Sequence, residues 1–325
     1  MASGVNACNL CHPWPGPVEK SVKQKIILDV DTGFDDAVAL LLAGHHAALE
    51  LVAVTVCHGN APLAVTLETT RRVLAAGGLG HVPVYAGAER ARIAPPLATD
   101  ATQDKVFDLP PASRPVEAQR AAEFLIDYYL SPAGPETVLV PLAPQTNVAL
   151  ALRLEPRLAA RVPRVMTMAG AYQEGNSTPS AEFNVLADPE AAHIVFTAGW
   201  PLTMVGLEVT AQALVTLADL ADLRGLGTPW AACAADILEP PVRWWLDQMG
   251  WAGGQVYDAC AVAAVADPGL LTTKPMHVAI ELGGTFTRGR TVADVIGWHR
   301  RPANVDVGVA LDRGRFLAIL RAGLR

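Results

Sequence analysis

An open α/β fold, with a mainly parallel central sheet flanked by helices, is predicted by three observations. Short β-branched runs alternate with segments of helical spacing through residue 210. The runs are almost continuously apolar, as strands buried on both faces are. The first run also ends in acidic and glycine residues just before a helix, and open α/β sheets place their ligand sites at that end of a strand.

The elements follow in order. KIILDVD, from Lys25, reads as the first strand and DDAVALLLAGHHA as the first helix. ELVAVTVCHGN and LAVTLETTRRVLAAGG form the second pair, and VPVYAGA is a third strand. Residues 89–115, rich in Pro, Ala and Asp, read as a long loop, a feature that is often functional in a compact domain. EAQRAAEFLIDYYL then reads as helix, ETVLVPLAP and RVPRVMTMAG as strands, and AEFNVLADPEAAHIVFTAG as a loop running into a helix. PLTMVGLEV is another strand, and 211–266 is mostly helical, with Trp244, Trp245 and Trp251 inside it. MHVAIELGGTFTRGRTVAD reads as a hairpin, and NVDVGVALDRGRFLAILRAGL closes the chain as strand then helix. No repeat or linker interrupts 25–325, so one domain is expected there.

Residues 1–24 show no periodicity and read as a flexible leader. Cys8-Asn-Leu-Cys11-His12 formally matches a haem-attachment pattern, but no export signal or axial-ligand pocket accompanies it. Five cysteines, three of them in apolar runs, point to reduced thiols and a cytoplasmic location. No stretch approaches the roughly 20 apolar residues that span a bilayer. Hydrophobic residues make up 51% of the chain, enough for a large core, and the formal net charge is −7. That charge argues against nucleic acid as a partner, which calls for a basic stripe.

The chemistry concentrates at the first strand end. Asp29, Asp31, Asp35 and Asp36 lie within eight residues and repel one another unless a cation neutralises them. Hard divalent ions, Ca²⁺ in particular, take such oxygen ligands. Helix capping accounts for one or two of the four. The same DxD pattern suits a HAD-type phosphatase with Asp29 as nucleophile, although neither the downstream Lys nor the late paired-Asp loop of that class is present.

KIILDVDTGFDDAVALLLA closely resembles the opening motif of the inosine-uridine preferring nucleoside hydrolase family, with Thr32 where the family usually has Pro. The likeness continues through CHGN at 57–60, LVPLAPQTN at 139–147, GN…AEFN…DPEAA within 165–196, MVGLEVT at 204–210, YDACAVA at 257–263 and RGRTVAD at 288–294. It implies a Rossmann-like fold and hydrolysis of the N-glycosidic bond of ribonucleosides by a water activated at Ca²⁺. By position, it implies that Asp31, Asp36, Asp258 and the carbonyl of Leu142 bind the metal. Asp31 is the implied general base and Asp29 a support. Asp35, Asn60, Glu182 and Asn184 are implied at the ribose hydroxyls, Asn176 at the 5′-hydroxyl and Met168 beneath the sugar. A homodimer or homotetramer is implied too, with a role in nucleoside catabolism and purine salvage.

The pattern departs at the base. Tyr257 stands where inosine- and uridine-preferring members carry a His before the third carboxylate, and no His lies between residues 89 and 115. His58 is near a strand end but off the motif. An aromatic residue before that Asp resembles the purine-specific branch, so purine nucleosides are slightly favoured. Tyr257 is the candidate leaving-group acid, and Trp245 is the candidate stacking face for the base. The alternatives are a non-catalytic ribose- or nucleoside-binding relative and the phosphatase.

Overall fold

The computed structural model describes residues 22–93 and 106–325. The Cys8–Cys11–His12 pattern and the middle of the 89–115 loop lie outside the described residues. In chain order, β1 (Gln24–Val30) leads into α1 (Phe34–His45), and β2 (Leu49–Val56) into α2 (Leu63–Ala76). After β3 (Val84–Ala86) come α3 (Ala121–Leu130), β4 (Thr137–Pro141), α4 (Thr146–Leu154), α5 (Leu158–Arg161) and β5 (Val165–Met168). Next are α6 (Phe183–Ala187), α7 (Pro189–Phe196), β6 (Leu202–Val205) and α8 (Leu207–Thr210). The helices α9 (Leu217–Arg224), α10 (Pro229–Met249) and α11 (Tyr257–Ala266) follow. The chain ends with β7 (Leu271–Met276), β8 (Val278–Ile280), β9 (Thr291–Ala293), β10 (Val305–Leu311) and α12 (Arg313–Leu324).

Eight strands form one sheet in the order β3-β2-β1-β4-β5-β6-β10-β7. All pairings are parallel except β10 with β7. Alternation along β1 explains why both faces are covered: Ile26, Leu28 and Val30 join the core under α1, α10, α11 and α12. Ile27 instead joins the opposite core with α3, α4 and α7. All four are fully buried, and each such side chain contributes about 1.5–3 kcal/mol.

Strand order reverses at β1, whose neighbours are β2 on one side and β4 on the other. That switch point opens a crevice above the carboxyl ends of β1 and β4, and the acidic motif sits there.

Three sequence readings need correction. LTTKPM, assigned to no element, forms the antiparallel edge strand β7; its side chains are mostly exposed, so no hydrophobic period marks it. TNVALALRL, also unassigned, is helix α4, with Thr146, Asn147 and Val148 buried in its first turn. PLTMVGLEV leaves the sheet after Val205 and turns into the short helix α8. The expected hairpin is present as β8 paired antiparallel with β9.

Candidate active site at the sheet switch point

The turn from β1 into α1 builds the floor of the site. Asp36 occupies the third position of α1, and its carboxylate accepts from the backbone N–H of Gly33 at 2.9 Å and of Asp31 at 3.3 Å. The helix therefore starts by folding its own acidic side chain back over the turn. Asp31, one residue past β1, accepts from the backbone N–H of Asn60 at 2.6 Å. Asn60 also donates its side-chain amide to Asp36 at 3.4 Å, so the loop after β2 is tied to the loop after β1. Gly59 is required by this approach. A Cβ there would lie 1.9 Å from Asp31 Oδ2.

Asp35, Asp36 and Asp258 offer ligand oxygens that all lie within 4.8 Å of one another. Asp258 arrives from the first turn of α11, more than 200 residues away in sequence. Asp31 stands beside this trio rather than inside it. All four carboxylates are buried, and no Lys or Arg is paired with them among the described residues. Burial, then mutual repulsion, raises their pKa values. Asp35 is pushed up to about 7 by burial and then by Asp36, and Asp36 to about 6 by burial. Burial first, and then Asp36 and Asp35 respectively, hold Asp31 and Asp258 well above the usual carboxylate range.

Asp29 lies one layer deeper and is fully buried. One oxygen accepts from Thr55 Oγ1 at 2.5 Å and from Asn147 Nδ2 at 2.8 Å; burial raises its pKa to about 7. Neither Asn147 nor Thr55 is marked as a site residue by the sequence. Asn147 also accepts from the N–H of Ala88, and so joins β1, α4 and the loop after β3. Only the strand register, Asp29 opposite Thr55, makes that partnership visible. The other oxygen of Asp29 is buried without a hydrogen-bond partner among the described residues, and a carboxylate sealed in this way is unlike the exposed nucleophile a HAD-type phosphatase needs.

The wall formed by the β5–α6 loop brings in the remaining predicted residues. Glu182 caps α6: one oxygen accepts from Asn184 N and the other from Gly170 N and Val185 N. Asn184 donates to the carbonyls of Leu142 at 2.7 Å and Met168 at 3.1 Å. Met168, at the end of β5, is buried, and its sulfur lies 3.7 Å from the same amide nitrogen. Asn176 accepts from Phe183 N at 2.9 Å, and its amide lies on the side of the Tyr257 hydroxyl, whose pKa it lowers slightly. Burial, then the charge on Asp35, pushes the Tyr257 phenol above its ordinary pKa.

Trp245 stands apart from this group: its ring stacks on Trp251 at 4.5 Å and meets Trp244 edge-on. His58 faces Thr146 Oγ1 at 3.3 Å, and Thr146 donates to the buried carboxylate of Asp188 at 2.8 Å.

Burial, orphaned oxygens and the donor set together fit a hard divalent cation. Asp31 Oδ1 is buried and has no hydrogen-bond partner among the described residues. The Leu142 carbonyl holds Asn184 yet keeps a second lone pair.

The comparisons with known proteins agree with this geometry. A family model described as inosine-uridine preferring nucleoside hydrolase matches residues 26–318. The pyrimidine-specific ribonucleoside hydrolase RihB of Escherichia coli O157:H7 (strain EC4115 / EHEC) is 36% identical over 307 residues, covering 93% of this chain and 97% of that protein. The purine-preferring ribonucleoside hydrolase from Gardnerella vaginalis matches with a TM-score of 0.86 at 31% identity, over 92% of this chain and 98% of that one. An inosine-guanosine nucleoside hydrolase matches with a TM-score of 0.82 at 29% identity, over 92% and 98%. The chain belongs to the inosine-uridine preferring nucleoside hydrolase family, and it is a glycosidase that acts on ribonucleosides.

Proposed function

We propose that the site hydrolyses ribonucleosides to ribose and free base with Ca²⁺ as cofactor, purine nucleosides being slightly favoured. The observation that carries the reading is the buried carboxylate cluster without a protein cation: burying unpaired charge is too costly unless something positive joins it. Asp31, Asp36, Asp258 and the Leu142 carbonyl would hold the ion. When bound, it supplies charge that grips the ribose diol and makes water a better acid.

The residues of the chain do the rest. Asp31 accepts the proton of the attacking water; its buried oxygen without a hydrogen-bond partner suits a general base. Asp35, Asn60, Glu182 and Asn184 hold the ribose hydroxyls, Asn176 the 5′-hydroxyl, and Met168 packs beneath the ring. Positive charge develops on the sugar as the glycosidic bond breaks, and the ring of carboxylates favours it.

Tyr257 borders the leaving base, with Trp245 further out. The raised pKa makes the phenol a poorer proton donor, which supports an aromatic contact over an acid role. An aromatic residue at position 257 supports the purine preference. Likeness to RihB, a pyrimidine-specific ribonucleoside hydrolase, supports the second reading, a pyrimidine preference. A homodimer or homotetramer acting in cytoplasmic purine salvage completes the proposal.

The test is ribose release from inosine, adenosine, guanosine, uridine and cytidine, with Ca²⁺ and then with EDTA. Chelator-sensitive release supports the reading, and the ranking of bases decides the preference. Nucleoside binding without release overturns it in favour of a binding relative.

A further inference from the structure

Asn176 is a proposed sugar contact on an exposed loop, so something must hold the β5–α6 loop. Two side chains from distant elements grip its first residues. Thr291, buried on β9, accepts from the N–H of Ala171 at 2.8 Å and donates to the carbonyl of the same residue. Glu208, on α8, accepts from the consecutive N–H groups of Tyr172 and Gln173 at 2.8 and 2.7 Å through one oxygen. Arg290 adds a bond to the Tyr172 carbonyl at 3.3 Å.

Gly170 shows how tightly the grip is built. It takes a φ of +80°, and a Cβ there would meet Thr291 at 2.7 Å and the Met204 sulfur at 3.1 Å. A left-handed residue pressed against a buried hydroxyl leaves this strand exit one path. Six residues further on comes Asn176, whose side chain turns back to accept from Phe183 N.

We infer that Glu208 and Thr291 are positioning residues which fix residues 171–173 so that Asn176 is delivered to the sugar. The inference rests on the reading above that Asn176 meets the 5′-hydroxyl. It gives the β8–β9 hairpin a function: β9 braces the active-site wall from behind. Backbone groups held at both amide and carbonyl cannot drift, and small displacements of a positioning group are costly in rate.

The experiment compares inosine with 5′-deoxyinosine and measures amide hydrogen exchange over residues 170–176. Thr291→Val keeps the shape and removes both hydrogen bonds. It is expected to lower kcat/KM for inosine about tenfold, to leave 5′-deoxyinosine nearly unchanged and to speed exchange at 171–173. Thr291→Ser restores both readings, and Val292→Ala, an exposed change on the same strand, alters neither. Glu208→Leu, which removes the acceptor oxygen, gives the same pattern if Thr291→Val does not fold. Equal losses on the two nucleosides, or unaltered exchange, overturn the inference. If Asn176→Ala moves the ratio of the two substrates but Thr291→Val does not, only the positioning role falls. If Asn176→Ala leaves that ratio unchanged, the 5′-hydroxyl reading falls, and the inference with it.

Discussion

The ribose side and the base side of the site are built differently. On the ribose side, Asp29, Asp31, Asp36, Asn60, Asn147, Glu182 and Asn184 are stitched together by hydrogen bonds from β1, β2, β4, β5 and the helices that follow. On the base side, Tyr257 packs against the apolar core and Trp245 leans on other tryptophans. A densely cross-linked region cannot change one residue without disturbing several, whereas a loosely packed wall can. The relatives follow that division: each is a nucleoside hydrolase, yet one is named for pyrimidines and two for purine nucleosides.

The largest break in the comparison is Asp31→Asn. It removes the proposed base and a proposed ligand together, and turnover should fall by about 10³-fold or more while circular dichroism stays native. Turnover near the native value sinks the assignment. Gly59→Ala comes next, because a methyl group cannot share space with the Asp31 carboxylate. About 10²-fold loss in kcat is expected, and a crystal structure should show Asp31 turned away.

The acidic side also has a thermal signature. Asp29 and Asp35 sit near 7 and Asp36 near 6, all above their ordinary 3.8. The metal-free native state thus binds more protons than the unfolded chain between roughly pH 4 and pH 7, so its stability falls as pH rises through that window. Scanning calorimetry with EDTA should show Tm dropping by a few degrees from pH 5 to pH 8. Adding Ca²⁺ should raise Tm more at pH 8 than at pH 5, because the ion binds the native state with its carboxylates ionised. A Tm that rises with pH in EDTA contradicts this account.

On the base side the effects shrink. Tyr257→Phe should cost under about tenfold, since a true general acid contributes 10²–10⁴-fold; a loss inside that larger range would make the phenol the acid. Trp245→Ala should change the ranking of nucleosides by about threefold or less, leaving the Ca²⁺ requirement intact. A uniform collapse across all five substrates would place Trp245 at the sugar instead.

The same division governs what the sequence could reveal. Asp31, Asp35 and Asp36 are legible because a strand, a turn and a helix start are local events, and their residues are contiguous. Asp258 is legible only through the family likeness, as its distance along the chain hides the convergence. Thr55 looks like an ordinary strand residue, and register alone turns it towards Asp29; Asn147 reaches the same oxygen from the first turn of α4, which no local pattern marks. Glu208 and Thr291 act on backbone groups, so no pairing of side-chain types betrays them. β7 escaped notice because LTTKPM faces solvent on most positions.

That overlooked strand has a consequence for how copies of this chain can meet. A free sheet edge is a template on which a neighbour's strand can grow. β7 ends the sheet with exposed Thr272, Thr273, Lys274 and Pro275: a charged side chain in the way, and a residue with no N–H to offer. At the other end β3 is three residues long, and Glu117 bridges to Tyr85 beside it. Both rims are therefore poor seeds for fibre-like stacking, so any lasting assembly must be made through helices and loops.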